Sequence, residues 1–313
     1  VRLALRALGG LALAALLAGL GAAAIVWHGS ERLIHGQGAA EGTPGASAPA
    51  DPDSAAGLYF EAVRFPTAGG SELGGWLVPA ELGLPFAVAF VHGAGQDRRV
   101  FLDHLRFLHD AGYPLLLFDL RDHGASDGAG RGSGLGYREL HDVSAAVSYL
   151  KHHGHHLVAV YGISLGGSAA LLAAAGDREI DVVIAESPLA SVDELARSRL
   201  PSMPEWLRRG AIDLALLRVG ALGEPRPIDA ISRISPRPLV LIGSAADRVV
   251  PAASVEALFA AAREPKELWI AEHGEHGAIL EAEPEEYRRR LLTYLGRWLG
   301  RAMAPRPSAP AGP

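Results

Sequence analysis

With 313 residues, 49% of them hydrophobic, the chain can bury one large core, which argues against disorder outside its ends. Twenty-nine basic against 35 acidic side chains give a formal charge of −6 with no basic stripe, so the composition argues against a nucleic-acid partner. The absence of cysteine excludes a disulfide framework, a thiolate nucleophile and a thiolate metal site.

Arg2 and Arg6 precede an uncharged apolar run from Ala7 to Trp27. At about 1.5 Å per residue such a run can cross a hydrocarbon layer roughly 30 Å thick. Positive charge before it and Trp27 at its far end predict the short N-terminal end inside and the main domain outside. Ala22-Ala23-Ala24 also offers small residues for signal-peptide cleavage. The run continues through Ile25-Val26-Trp27, beyond the usual signal core, which favours an uncleaved transmembrane anchor over residues 1–27. The expected location is the membrane, with the main domain on the extracytoplasmic side; secretion after cleavage is the alternative. Residues 28–57, rich in Gly, Ala, Pro and Ser, read as a flexible tether, and 301–313 as a disordered tail. The folded domain then covers 58–300.

Tyr59 to Phe65 and Glu72 to Val78 form an expected antiparallel hairpin. Apolar runs at 86–91, 114–118, 157–160, 182–185 and 239–242, and a last short one at 267–270, predict strands. Helical spacing appears at 98–110, 137–151, from 165 and at 252–262. Runs apolar on both faces belong in a parallel sheet covered by helices, giving an α/β fold in three layers. Right-handed crossovers bring the loops after the parallel strands to one sheet edge. His92, Asp119, Ser164, Glu186, Asp247 and His276 all follow expected strands. The segment 188–236 interrupts the alternation with an apolar series that predicts two or three short helices as a small cap over that edge. Its apolar side chains favour an acyl or alkyl substituent on the substrate.

Gly162-Ile163-Ser164-Leu165-Gly166 lies between a strand and an Ala/Leu-rich helix, which places the serine at a sharp turn as a candidate nucleophile. Asp247 follows the 239–242 strand and His276 follows the last one, in the order Ser, Asp, His. His276 would take the serine proton, and Asp247 would fix the imidazole tautomer. His273 is the competing base, but Gly274 and Gly277 give the His276 loop its freedom. Glu186 is the competing acid, with an arginine-paired rim residue as its plainer role; Asp247 is preferred because Pro251 falls at a helix start. The N–H groups of Ala94 and Leu165 are the expected oxyanion donors.

His92 reads as a structural histidine bridging loops, and Asp119 and Arg121 as fasteners of the rim. The cluster His152, His153, His155, His156 precedes its strand, on the edge opposite Ser164. Neither a dinucleotide fingerprint nor a phosphate loop is present, so the reading needs water and neither cofactor nor metal.

Over about 58–300 the sequence resembles the α/β-hydrolase superfamily, and within it the membrane-anchored Bem46-like and ABHD-type serine hydrolases. The resemblance is carried by His92-Gly93-Ala94-Gly95, Asp119 through Gly128, Gly162-Ile163-Ser164-Leu165-Gly166-Gly167, Pro236 through Val240 leading to Asp247-Arg248-Val249-Val250-Pro251, and Gly274-Glu275-His276. It implies a mostly parallel sheet of about eight strands with a small helical cap, Ser164 as nucleophile, Asp247 as acid, His276 as base, and Ala94 and Leu165 at the oxyanion hole. Asp122 departs from the family pattern, where glycine is usual, and so does the lead-in Gly243-Ser244-Ala245-Ala246. The expected activity is hydrolysis of small-molecule or lipid-like acyl esters or thioesters. A peptidase or amidase, an acyltransferase using the same groups, and a non-catalytic membrane-tethered binding protein are the alternatives. Substrate, acyl length and oligomeric state are not encoded in these motifs.

Overall fold

The computed structural model describes residues 2–36, 49–80 and 84–302. The middle of the expected tether, 37–48, and the expected tail from 303 onward lie outside the described residues.

Eight strands form one sheet: β1 (Glu61–Pro66), β2 (Glu72–Val78), β3 (Phe86–Val91), β4 (Leu115–Phe118), β5 (Leu157–Ile163), β6 (Val182–Glu186), β7 (Leu239–Ser244) and β8 (Lys266–Ala271). Their order is β1-β2-β4-β3-β5-β6-β7-β8. β2 runs antiparallel to β1 and β4, and every pair from β4 to β8 is parallel. Every residue of β3, β4, β6 and β7 is buried. This is why these strands read as continuous apolar runs rather than as alternating ones.

Eleven helices accompany the sheet among the described residues. The first two, α1 (Arg2–Ile34) and the short α2 (Pro52–Ala56), precede it. α3 (Leu102–Asp110) follows β3 through a 3₁₀ turn at 98–101, and α4 (Glu139–His152) and α5 (Leu165–Gly176) flank β5. Between β6 and β7 come α6 (Val192–Arg199), α7 (Glu205–Val219) and α8 (Pro227–Ala230); α9 (Ala252–Ala261), α10 (Ile279–Ala282) and α11 (Pro284–Ala302) complete the chain. The pleat of β3 divides the core. Ala87, Ala89 and Val91 face a cluster built with Val143 and Ala146 of α4, Ala170 of α5 and Val255 of α9. Phe86, Val88 and Phe90 face Leu105 and Leu108 of α3 and Leu291 and Leu295 of α11.

The expected tether boundary at residue 28 does not match the helix. α1 continues to Ile34, and Leu33 and Ile34 are buried with Leu200, Ala211 and Ile212 of the cap region. The sequence between His28 and Ile34 carries little apolar signal because its fixation comes from distant residues. Arg218 of α7 lies 4.5 Å over the Trp27 ring and donates to Ser30 Oγ at 2.9 Å and to Glu31 at 2.7 Å. A Cβ on Gly29 would fall 2.8 Å from that of Ala211, so the two helices touch backbone to side chain. The first half of α1 is different. Leu11, Leu16, Leu17 and Leu20 are exposed, and the segment Gly10–Ile34 is long and apolar enough to cross a membrane. α2, also within the expected tether, is fixed by a reciprocal Asp51–Ser54 cap and by Arg106 of α3, which donates to the Ala56 carbonyl at 3.1 Å.

Candidate active site

Ser164 stands between β5 and α5 with φ 55° and ψ −119°, a strained conformation for a residue with a side chain. Glycines on either side make the turn possible. A Cβ at Gly162 would lie 2.4 Å from the Gly166 carbonyl oxygen, and one at Gly166 would lie 2.1 Å from that of Val91. The turn therefore packs strand, helix and the neighbouring β3 at backbone distance, and the Ser164 N–H is held by the Glu186 carbonyl of β6 at 2.8 Å. Because the strain belongs to the Cβ, Ser164→Gly is expected to be more stable than Ser164→Ala by about 1 kcal/mol. Urea denaturation of both variants measures it, and equal midpoints would remove the strain.

The loops after β7 and β8 bring two further side chains to Ser164. His276, between Gly274 and Gly277, places Nε2 2.9 Å from Ser164 Oγ and Nδ1 2.8 Å from Asp247 Oδ2. With a carboxylate as acceptor, Nδ1 carries the proton and Nε2 is left to accept the serine hydroxyl. The other Asp247 oxygen accepts the N–H groups of Val249 and Val250, each at 2.8 Å. Burial alone would raise the Asp247 carboxyl, but the His276 hydrogen bond and charge, with the Val250 N–H, outweigh it and hold it below the ordinary aspartate value. His273 is exposed, and its N–H bonds Glu283 at 2.7 Å instead.

Glu186 is neither the acid partner of His276 nor paired with arginine. Its carboxylate accepts the hydroxyls of Tyr161 on β5 and of Tyr287 on α11, and Tyr287 in turn meets His104 Nε2 at 2.9 Å. Burial raises the Glu186 carboxyl above its ordinary value, against the two phenol donors. Sequence reasoning had no route to this buried cluster, because its members come from four separate elements.

Two histidines latch the rim. His92 Nδ1 donates to the Gly93 carbonyl at 2.8 Å, and its Nε2 accepts the Leu120 N–H at 3.0 Å. His123 does the converse from the opposite loop, donating to the Arg121 carbonyl at 2.8 Å and accepting the Gly95 N–H at 3.2 Å. Together they fix the turn that carries Ala94. Asp119 is salt-bridged to Arg98 at 2.9 Å and accepts the Ala125 N–H at 2.7 Å; Arg121 pairs with buried Asp142. Asp122, the departure from the family's glycine, has φ 60°, a left-handed backbone that aspartate tolerates, and its side chain accepts the Gly130 N–H. The cluster from His152 to His156 lies at the far edge, where His152 and His153 each bond a carbonyl of their own helix.

A cavity of about 190 Å³ opens on Ser164 and His276. Ala94 and Leu165 line it, as do Leu189, Leu195, Ser198 and Arg199 of the cap region. Leu165 is the first residue of α5, so its N–H has no carbonyl one turn back to bond. The segment 188–236 thus reaches over the sheet edge and supplies one wall of the cavity. Such an arrangement can deprotonate a hydroxyl while it attacks an electrophile held at the same opening.

A family model described as the α/β-hydrolase fold matches residues 87–225. The uncharacterized protein YqkD of Bacillus subtilis is 32% identical over 242 residues, covering 74% of this chain and 77% of that one. The uncharacterized protein YfhR of Escherichia coli K12 is 29% identical over 245 residues, covering 75% and 80%. Among solved structures, the Pyrococcus furiosus esterase Pf2001 superposes with a TM-score of 0.67 at 25% identity, over 82% of this chain and 99% of that one.

Proposed function

Since this chain belongs to the α/β-hydrolase family, we propose that it cleaves carboxylic esters or thioesters through an acyl-enzyme on Ser164. The observation that carries the reading is the continuous hydrogen-bonded line Ser164–His276–Asp247 at the mouth of a cavity. His276 Nε2 takes the Ser164 proton as Oγ attacks the carbonyl carbon, and the Ala94 and Leu165 N–H groups receive the developing oxyanion. As the carbonyl re-forms, the bond to the leaving group breaks and His276 returns the proton to it. Water then repeats the sequence, with His276 as its base and Ser164 Oγ as the departing group. Asp247 holds the imidazole and stabilises its charged form without taking the proton. The likeness to Pf2001, an esterase of the same fold, supports an ester rather than an amide as the substrate here.

In this reading α1 spans the bilayer from about Ala7 to Ile25, roughly 29 Å at 1.5 Å per residue, with Trp27 at the interface and the hydrolase domain outside. Its last turns, docked on α7, hold the cap region close to the membrane surface. 4-Nitrophenyl esters of increasing acyl length, set beside the 4-nitroanilide of the best acyl group, test the assignment. Ester turnover at least a hundredfold above anilide turnover is expected. Faster anilide cleavage would make the protein an amidase.

A further inference from the structure

One wall of the cavity carries a charge for which the acyl-transfer steps have no use. Arg199, the last residue of α6, lines the cavity with Leu195 and Ser198 of the same helix. One guanidinium N–H donates to the Leu33 carbonyl in the last turn of α1, at 2.8 Å. No carboxylate among the described residues pairs with it, and its other N–H groups are not sealed inside the protein. Burial, reinforced by the like charge of Arg32, brings it down to about 10, so it stays charged at neutral pH. Other inward arginines are differently placed: Arg98 meets Asp119, Arg121 meets Asp142, and Arg237 is wrapped by the carbonyls of Ala174, Asp177 and Ile180. A cation withdrawn from water is ordinarily compensated by an anion. Among the described residues no anion compensates it, and Arg199 lines the cavity that holds Ser164.

We infer that Arg199 is an anion subsite of this cavity, and that the acyl ester cleaved here carries a carboxylate or phosphate group that the guanidinium binds. The inference rests on the hydrolase reading above and narrows its substrate class. Hydrogen bonding from a guanidinium to an anion corresponds to a preference of about 10- to 100-fold over an uncharged partner. The contact with Leu33 sets one edge of the fork and leaves the other for substrate, so the subsite is held by the end of α1.

The full-length chain in nonionic detergent is assayed on two matched pairs. One pair places the charge on the leaving group, 1-oleoyl-lysophosphatidate against 1-oleoylglycerol. The other places it on the acyl group, the 4-nitrophenyl half-ester of glutaric acid against 4-nitrophenyl pentanoate. In at least one pair the anionic member is expected to have a kcat/KM at least tenfold the higher, and the pair that shows it identifies the charged side. In R199Q that ratio should fall towards one, while R199K, a point charge without the fork, should keep part of it. A ratio near one in both pairs for the unmodified protein overturns the inference, whatever the variants do. So does a preference that R199Q leaves intact, which would reduce Arg199 to a clasp between α1 and α6. Failure of the parent reading looks different: no member of either pair turns over, Ser164 is not labelled by a fluorophosphonate, and the subsite falls with it.

Discussion

Ser164→Ala is expected to lower kcat/KM for the best ester by about 10⁴-fold or more and to abolish labelling by a fluorophosphonate. In the proposed mechanism the hydroxyl oxygen forms the acyl bond, and its hydrogen-bond partner His276 Nε2, at 2.9 Å, acts as its base and not as a second nucleophile. His276→Ala should cost about as much, because an unassisted serine hydroxyl is a poor nucleophile at neutral pH. The double variant should be no worse than either single one, since both remove the same step. Asp247→Asn should cost about 10³- to 10⁴-fold: an amide can donate to Nδ1 and so favour the wrong imidazole tautomer, while Val249 and Val250 still hold the side chain in place. Mass spectrometry of labelled peptides locates the probe. Label on another residue of Ser164→Ala, or a loss below tenfold, would displace Ser164 from the reaction.

The parts legible in the sequence are those written in short stretches of chain. β3, β4, β6 and β7 announce themselves because both faces are covered, so an apolar residue is required at each position. The turn at Ser164 is legible for a related reason: Gly162 and Gly166 face backbone oxygens at distances no side chain tolerates. His276 and Asp247 lie far from Ser164 in sequence, yet strand order alone delivers their loops to one edge. What stayed hidden depends on pairs of distant side chains. The end of α1 is fixed by Arg218, Gly29 and Ala211, none of which signals a helix contact by itself. Tyr161 and Tyr287 satisfy Glu186 from elements more than a hundred residues apart, and nothing near Glu186 marks them. Arg199 looks like an ordinary surface residue of an amphipathic helix until α1 closes against it.

Between pH 6.5 and 5 two buried imidazoles are expected to cost the protein about 3 kcal/mol of stability. His92 and His104 are buried, and burial pushes each from the ordinary histidine value of 6.5 down to about 3; the neighbouring His123 adds to the effect on His92. In the unfolded chain both rings bind protons as pH falls below about 6.5, whereas the folded rings stay neutral to about 3. The unfolded state therefore binds more protons across that window, and acidification favours it by an amount that rises towards about 1.4 kcal/mol per ring per pH unit. Burial also raises the carboxyls of Asp119, Glu139 and Glu186, which act with the opposite sign because the native state protonates them first. They offset part of the loss as they take up protons. Against a total stability of about 5–15 kcal/mol such a loss is large. His104 is the separable contributor: its Nε2 meets Tyr287, its Nδ1 has no partner, and it lies away from the rim that His92 holds. His104→Gln keeps a donor for Tyr287 without a group that titrates, and should halve the dependence of the urea midpoint on pH between 6.5 and 5. An unchanged slope in that variant would remove His104 from the acid sensitivity and leave it to His92.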